Sequence, residues 1–541
     1  MDSVSCALHY KDSSPEKTVK TIKKILEDNS IHTSYTYTKD LDYGCFSGRV
    51  VLDCPFAIGT NGKGLTKKLC EASAYAEFME RLQNMFLVPV PKRYAGRKSS
   101  MYPFMSYPDC KTVMLPIDEL YRLTASNGMA SGNTINEAAV QGMSEILERF
   151  SEMEIVKNRL TPPPVPDEVL DRYPRIRKMI EQTKAVKGLD IRILDCSLGK
   201  GLPVLCAAIT DQLHGTVGMT FGAHPEMGIA LERLFTETVQ GRNLKDASMA
   251  GSIEFSSGEM LLKENTFQML KSGDGIYPAS LLEDNPGWTF KEWKDVSSFD
   301  SKALFDYMVS VLLSISPAVY LADVSFLGFP TVYVYAAGVS EVTDPDYALE
   351  KARLKLNSAK AWKALSDIDD KDVKRLLKFS EYSSKYGESD INYVTSVPYV
   401  GCKIGGNYEL ELFNAACYWR LGKGEKAAAV LKSVLSEGNF IRQTDMLFTR
   451  GVYLLITGLN EGREAEDVKA VMDQLLPKAV SDLVFHIWEN PNDVIKMMYP
   501  DCTEKCEKCN APCAELELEN LYETLLNKRT EYGNRIIDIN C

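Results

Sequence analysis

Carboxylates recur along this 541-residue chain at spacings that a helix turns into straight lines. Ser73, Glu77, Glu80 and Asn84 fall at i, i+4, i+7 and i+11, one narrow stripe of a 3.6-residue helix. Glu137, Gln141, Glu145, Glu148 and Glu152 repeat the device at i, i+4, i+8, i+11 and i+15. Leu69, Ala72, Ala76, Phe78, Met79, Leu82 and Phe86 surround the first stripe; Ala138, Ala139, Met143, Ile146, Leu147 and Phe150 surround the second. Helices so apolar are largely buried, so each stripe must face a cavity or a partner. Facing carboxylates repel one another, and desolvation raises their pKa values unless something favours the charged form. Mg2+ bridging phosphate oxygens would meet that need, because hard oxygen ligands suit it. Blander readings stand beside this one: Glu137, three residues after Thr134, can close a capping box, and Glu77 and Glu80 can form a solvated helix face.

The elements that must position these groups follow a common plan. A Gly-containing loop leads into a helix with acids and a closing Arg: Gly59–Gly64 before Thr66–Phe86, Ser126–Asn133 before Thr134–Asn158, and Gly222–Pro225 before a helix to about Arg242. The loop around Lys63 is no Walker motif, which needs Gly-Lys-Ser/Thr, whereas Gly64 and Leu65 follow Lys63 here. Any nucleotide must therefore be held by carboxylates through Mg2+ and by scattered Lys and Arg. An opening helix is expected over Pro15–Asp28 and a strand over Thr33–Tyr37, with β-rich stretches at Ile191–Cys196 and Val204–Thr210. Thr161–Pro166 cannot be helical and reads as a stiff turn. The fold class is α/β, long helices covering β-sheets, followed by an all-α C-terminal domain.

Composition limits the rest. Sixty-two basic and 74 acidic side chains give a net charge of −12, which argues against direct nucleic-acid binding; 45% hydrophobic residues argue against disorder. Tyr307–Ser340 is the least polar region, but Asp323, Pro317 and Pro330 interrupt it, so it reads as a buried helix and interior strands (Ala318–Asp323 and Thr331–Ala336), not a membrane span. The Met1–Cys6 start carries no secretory signal, so the 14 Cys are expected mostly as reduced thiols in a cytoplasmic protein.

Residues 1–400 read as one large unit and 401–541 as a helical, tetratricopeptide-like module, with helices at 407–421, 424–436, 444–458 and 464–475. Cys402 and Cys417 are expected to pack in apolar helix surroundings. Cys502, Cys506, Cys509 and Cys513 have the spacing to hold Zn2+ or an iron–sulfur cluster; unligated thiols in a charged loop are the alternative.

Three strings carry a resemblance to the YcaO family of ATP-using enzymes. They are Gly62-Lys63-Gly64 with Glu77-Phe78-Met79-Glu80-Arg81, the segment from Ser126-Asn127-Gly128 to Glu145-Ile146-Leu147-Glu148-Arg149, and His224-Pro225 with Glu237 and Gln240-Gly241-Arg242. The likeness spans roughly residues 1 to 400, and the helical extension resembles stand-alone bacterial members associated with β-methylthiolation of a small-subunit ribosomal protein. The resemblance implies an α/β fold binding ATP between sheets, and activation of a backbone amide. A nucleophile adds to the carbonyl, ATP phosphorylates the oxyanion, and loss of phosphate leaves an azoline, thioamide or amidine. It further implies Mg2+ held by Glu77, Glu80, Glu137, Glu145 and Glu148. Ser73, Asn133, Arg149 and Arg242 would lie on the phosphates, and Lys11 and Thr18 near the nucleotide.

The chain also departs from the family. Azoline-forming members usually end in Pro-x-Pro-x-Pro, whereas this chain ends Asn540-Cys541, and Pro162–Pro166 reads as a connector. Tyr333–Gly338 stands where many members carry Arg-x-x-x-Pro-Gly. The expected function is an ATP- and Mg2+-dependent protein acting on a protein or peptide amide, an accessory factor for ribosomal-protein methylthiolation with a methylthiotransferase partner, and a homodimer. The alternatives are an azoline- or thioamide-forming enzyme on a precursor peptide, and an ATP-binding scaffold that recruits a partner through its helical repeats.

Overall fold

The structure is a computed structural model. It describes residues 11–52, 59–87, 101–256, 258, 263–342, 354, 368–385, 409–437, 443–498, 524–525 and 527–532. The chain divides into two units: Met1–Pro89, Lys98–Pro345 and Thr524–Cys541 form the first, Val90–Arg97 and Asp346–Glu523 the second.

The first unit begins with α1 (Pro15–Asp28), which the Ser14 side chain caps by accepting from the Lys17 N–H, and which buries Val19, Ile22 and Leu26. Then come β1 (Thr33–Lys39), β2 (Phe46–Leu52) and β3 (Gly59–Gly64), an antiparallel sheet in that order. The sequence reading had Gly59–Gly64 as a loop; it is a strand, and its glycines explain why. A Cβ on Gly62 would stand 2.3 Å from the Cys70 carbonyl oxygen and 2.4 Å from the Ala74 nitrogen, both backbone atoms of α2 (Lys67–Leu87). Without side chains there, α2 lies directly on β3.

Two five-stranded sheets complete the unit. One has the order β5-β4-β12-β13-β6, all antiparallel, from β4 (Met101–Tyr107), β5 (Lys111–Pro116), β6 (Met129–Ser131), β12 (Val319–Asp323) and β13 (Thr331–Ala336). The other has the order β11-β10-β9-β8-β7, from β7 (Leu189–Asp195), β8 (Val204–Asp211), β9 (Thr216–Ala223), β10 (Gly251–Glu254) and β11 (Gly275–Pro278), parallel only between β10 and β11. The Pro162–Pro166 connector is extended rather than turned. Pro164 bridges Leu194, Val165 N–H donates to Ile193 O at 2.8 Å, and Asp195 N–H donates to Pro163 O at 2.8 Å, all along β7.

Helix α3 (Ile135–Asn158) packs against both five-stranded sheets. Ala138, Ala139, Met143, Ile146 and Leu147 share a core with Val332, Val334 and Ala336 of β13 and with Val204, Cys206, Met219 and Phe221 of β8 and β9. Burying side chains of the Ile146 and Leu147 class contributes roughly 2 kcal/mol each. The unit also contains helices α4 (Pro174–Ala185), α5 (Met227–Thr238), α6 (Lys263–Ser272) and α7 (Ser301–Leu313), besides shorter ones. α5 ends four residues before the expected Arg242. Thr236 and Thr238 hydroxyls donate back to the Glu232 and Leu234 carbonyls, and Gly241 takes a left-handed φ of 75°, which turns the chain out of the helix.

The second unit is helical where described: α8 (Asp370–Lys385), α9 (Glu409–Arg420), α10 (Gly424–Glu437), α11 (Gln443–Asn460), α12 (Ala465–Leu475) and α13 (Lys478–Trp488). Its core gathers Phe413, Cys417, Trp419, Leu455, Ile456 and Trp488, and Trp419 Nε1 donates to the Trp488 carbonyl at 3.0 Å. Cys45, Cys70, Cys196, Cys206 and Cys417 are buried free thiols, whereas Cys110 is disulfide-bonded, an exception to the reduced thiols expected. Cys402 lies outside the described residues. Among the described residues no helix is long and apolar enough to cross a membrane.

Gly128 carries the tightest demand in the core between α3 and β13. Its φ is 86°, and a Cβ there would stand 2.2 Å from the Val334 carbonyl oxygen. Gly128→Ala is expected to cost about 3 kcal/mol, read as a lowered thermal midpoint by circular dichroism. An unchanged midpoint would contradict this packing.

Candidate functional site

Both carboxylate stripes open on one cavity of about 800 Å3 in the first unit. α2 supplies Ser73, Glu77, Glu80 and Arg81; α3 supplies Glu137, Gln141, Glu145, Glu148, Arg149 and Glu152. α5 adds Glu232, Arg233 and Glu237, and Gln240 and Arg242 follow it; Lys11 and Thr18 enter from the N-terminal side, Lys63 from β3 and Asn133 from the cap of α3. All eleven residues expected at a Mg2+–nucleotide site in the first unit therefore line this one cavity: Lys11, Thr18, Ser73, Glu77, Glu80, Asn133, Glu137, Glu145, Glu148, Arg149 and Arg242. Asn84, the far end of the α2 stripe, is buried outside the lining, and among the described residues neither of its amide atoms has a hydrogen-bond partner.

Burial dominates the electrostatics. It pushes Glu80 up to about 8 against the opposing charge of Arg81, and Glu148 up to about 8 with help from neighbouring Glu237. Glu77 is raised for the same reason, Arg81 and Lys63 opposing. Glu152 and Glu232 are pushed to about 7. Nine acidic and six basic side chains line the cavity, so full ionisation of the acids would leave negative charge in excess.

Glu137 is different. Its carboxylate accepts from Lys11 Nζ at 3.0 Å, from the Asp12 N–H at 2.9 Å and from Asn133 Nδ2 at 3.1 and 2.9 Å. Burial works against its charge, but these donors hold it below the usual carboxylate range. Thr18 Oγ1 donates to Asn133 Oδ1 at 2.7 Å, which ties α1 into the same network. The capping box forms by half, the Glu137 N–H donating to Thr134 Oγ1 at 3.1 Å while the carboxylate turns to Lys11. Arg149 Nη2 lies 2.8 Å from Glu145 Oε1, and Arg242 Nη1 lies 3.0 Å from Asp274 Oδ1.

The donor set suits a hard divalent cation: carboxylate oxygens throughout, several held out of water and short of positive charge. Among the described residues no three His, Cys, Asp or Glu side chains are gathered closely enough to hold one ion; Mg2+ characteristically takes one or two carboxylates and fills its shell with phosphate and water. Cys502, Cys506, Cys509 and Cys513 lie outside the described residues.

The reading from sequence did not assign roles to Lys63, Arg233, Glu237 or His224, which also line the cavity. Lys63 Nζ lies 2.6 Å from Glu237 Oε1, a contact between residues 174 positions apart that no spacing rule anticipates. His224 is buried, its Nδ1 accepts from the Glu226 N–H at 3.0 Å, and burial together with Arg233 and Lys11 keeps its ring neutral, well below the usual His range.

Residues 87–340 match the family model for the YcaO cyclodehydratase, ATP- and Mg2+-binding. The chain is 29% identical over 342 residues to the Escherichia coli ribosomal protein S12 methylthiotransferase accessory factor YcaO, a match covering 52% of this chain and 57% of that protein. It is 28% identical over 350 residues to an uncharacterized protein of Haemophilus influenzae, covering 54% and 59%. The chain thus spans a little under 60% of the length of these curated relatives. A solved structure of YcaO from Methanopyrus kandleri, bound with AMPPCP and Mg2+, aligns at 19% identity and a TM-score of 0.42, covering 63% of this chain and 96% of that one.

Glu232 gives the cavity a pH signature. Burial raises its folded pKa to about 7 against an ordinary 4.5, so the folded chain binds this proton more tightly than the unfolded one. The stabilisation is complete below about pH 4.5 and is lost as pH rises through about 7. Glu232→Gln, which mimics the protonated acid, is expected to leave the thermal midpoint unchanged near pH 4 and raise it by about 3 °C near pH 8.5. Equal midpoints for variant and wild type at both pH values would rule this out.

Proposed function

We propose that this chain, which carries a YcaO domain over residues 87–340, is an ATP- and Mg2+-dependent enzyme that activates a backbone amide of a protein or peptide. The convergence of the α2, α3 and α5 carboxylates on one cavity with Lys11, Lys63, Arg149, Arg233 and Arg242 is the observation that carries this reading. The family model's own description, ATP- and Mg2+-binding, supports it.

Physical need and geometry agree. An amide oxygen leaves poorly until it is phosphorylated, so the catalyst must bring a phosphoryl group, its metal and an amide together in a space that excludes water. Mg2+ bound to the nucleotide would supply charge neutralisation at the transferring phosphoryl group. Glu77, Glu80, Glu145 and Glu148 would hold that metal. Glu137, saturated by Lys11, Asn133 and the Asp12 N–H, would keep α1 docked on α3 so that Thr18 and Ser73 face the nucleotide. Arg149 and Arg242 would take phosphate oxygens, exchanging Glu145 and Asp274 for them.

The biological setting we propose is that of the Escherichia coli relative, an accessory factor for methylthiolation of a ribosomal protein, with the helical unit recruiting the partner enzyme. The assembly is proposed as a homodimer, and the compartment as the cytoplasm. Zn2+ or an iron–sulfur cluster at Cys502, Cys506, Cys509 and Cys513 is a separate proposal, decided by metal analysis of the purified protein.

The combined Glu80→Gln and Glu148→Gln variant is expected to lose Mg-ATP binding by at least about 100-fold, measured by titration calorimetry. Unchanged affinity would remove these residues from the site. ATP hydrolysis that rises on adding an acceptor peptide, with loss of water from that peptide by mass spectrometry, would identify cyclisation. Nucleotide binding without hydrolysis under any condition would favour a scaffold.

A further inference from the structure

Four charged side chains from three elements meet at one wall of the cavity. Lys63 of β3 reaches across to Glu237 of α5, Nζ to Oε1 at 2.6 Å. Arg233, one turn earlier on α5, places Nε 3.5 Å from the same oxygen and Nη2 3.8 Å from Glu148 Oε2 of α3. Its Nη1 donates to Gln141 Oε1 at 2.9 Å. Glu148 Oε2 also accepts the Ala223 N–H at 3.1 Å, which aims the carboxylate at this wall. The two cations thus stand against carboxylate oxygens of Glu148 on the α3 stripe and Glu237 on α5, which a divalent ion would also seek.

Their arrangement is not that of a permanent ion pair. The Lys63 ammonium sits at the end of a flexible four-carbon stem, and the side chain as a whole is 26% exposed. Arg233 approaches Glu148 from beyond hydrogen-bond distance and divides its charge between two acids. The contrast with Glu137 is informative. There the lysine is joined by an amide and a backbone N–H, and every donor is within 3.1 Å. Glu137 is pinned, whereas Glu148 and Glu237 are only neutralised.

A divalent ion binding Glu237 or Glu148 would meet one or two positive charges within a few ångström, a repulsion that low local dielectric strengthens. The cation must then leave, and the polyphosphate arriving with the metal is the nearest anionic destination. Resting on the nucleotide reading above, we infer that Lys63 and Arg233 are place-holding cations that neutralise Glu237 and Glu148 until a divalent ion enters, and then turn to the polyphosphate. Each is thus a positioning residue in the metal-free chain and a phosphate ligand in the loaded one.

This makes the sign of a mutation depend on the ligand. Lys63→Met keeps the stem and removes the charge. Mn2+ alone, titrated near pH 8 and followed by electron paramagnetic resonance, is expected to bind this variant about tenfold more tightly than wild type, while Mg-ATP binds about tenfold more weakly by calorimetry. Arg233→Met should shift both affinities in the same directions. Lys68→Met, which removes a surface partner of Glu16 outside the cavity, should shift neither.

A second measurement uses the wild-type chain alone. Amine labelling at Lys63, read by mass spectrometry, should rise with Mn2+ and fall below its starting level with Mg-ATP. Mn2+ affinity that is unchanged or weaker in a folded Lys63→Met, or Lys63 labelling indifferent to both ligands, overturns the inference while leaving the nucleotide reading intact. Wild-type protein that binds neither Mn2+ nor Mg-ATP overturns both.

Discussion

Negative charge held out of water is the constraint around which this molecule is organised. A buried carboxylate keeps its charge only if cations or hydrogen-bond donors surround it, and otherwise takes up a proton. Glu80 shows the poorly compensated case, pushed to about 8 by burial although Arg81 opposes it, and Glu137 the satisfied one, held below its usual range by Lys11, Asn133 and the Asp12 N–H. Both belong to one cavity, so the difference lies in local partners and not in depth.

The scaffold brings α2 and α3 close enough for this confrontation by deleting side chains between them and their sheets. Gly62 lets α2 rest on β3, and Gly128 and Gly142 let α3 rest against β13. Buried apolar surface on α3 anchors the helix on the side away from the acids, so the stripe faces the cavity without being free to turn away. Gln83, two residues beyond Arg81, donates to the Phe329 carbonyl at 2.9 Å and accepts from the Leu327 N–H at 2.8 Å, so the loop after β12 is fastened to the same helix. Rigid packing converts helical spacing into a fixed field of charge.

Local rules made much of this legible. The period of the stripes announced α2 and α3 and the faces that meet the cavity, because side-chain direction in a helix follows from spacing alone. Thr134 marked the start of α3 for similarly local reasons. Gly59–Gly64 was not legible as a strand, since its conformation is dictated by the approach of α2 and not by its own preference. Nor was the true end of α5, where threonine hydroxyls and a left-handed Gly241 act against an otherwise helical pattern. The contacts of Lys63 with Glu237 and of Arg233 with Glu148 and Gln141 join residues remote in sequence, so spacing alone assigns them no role; charge balance around the cavity, once the helices are placed, is the signal that finds them.

The extended Pro162–Pro166 segment has a bearing on how the protein behaves in a crowded solution. β7 ends one five-stranded sheet, and an open terminal strand offers backbone donors and acceptors to any other chain that passes. Here that border is covered by residues whose own outer side can donate little, because proline has no N–H. Val165 and Asp195 make their bonds inward, to and from β7 and the proline segment, and further growth of the sheet stops there. The connector is thus also a hem, closing part of that edge against pairing with another chain.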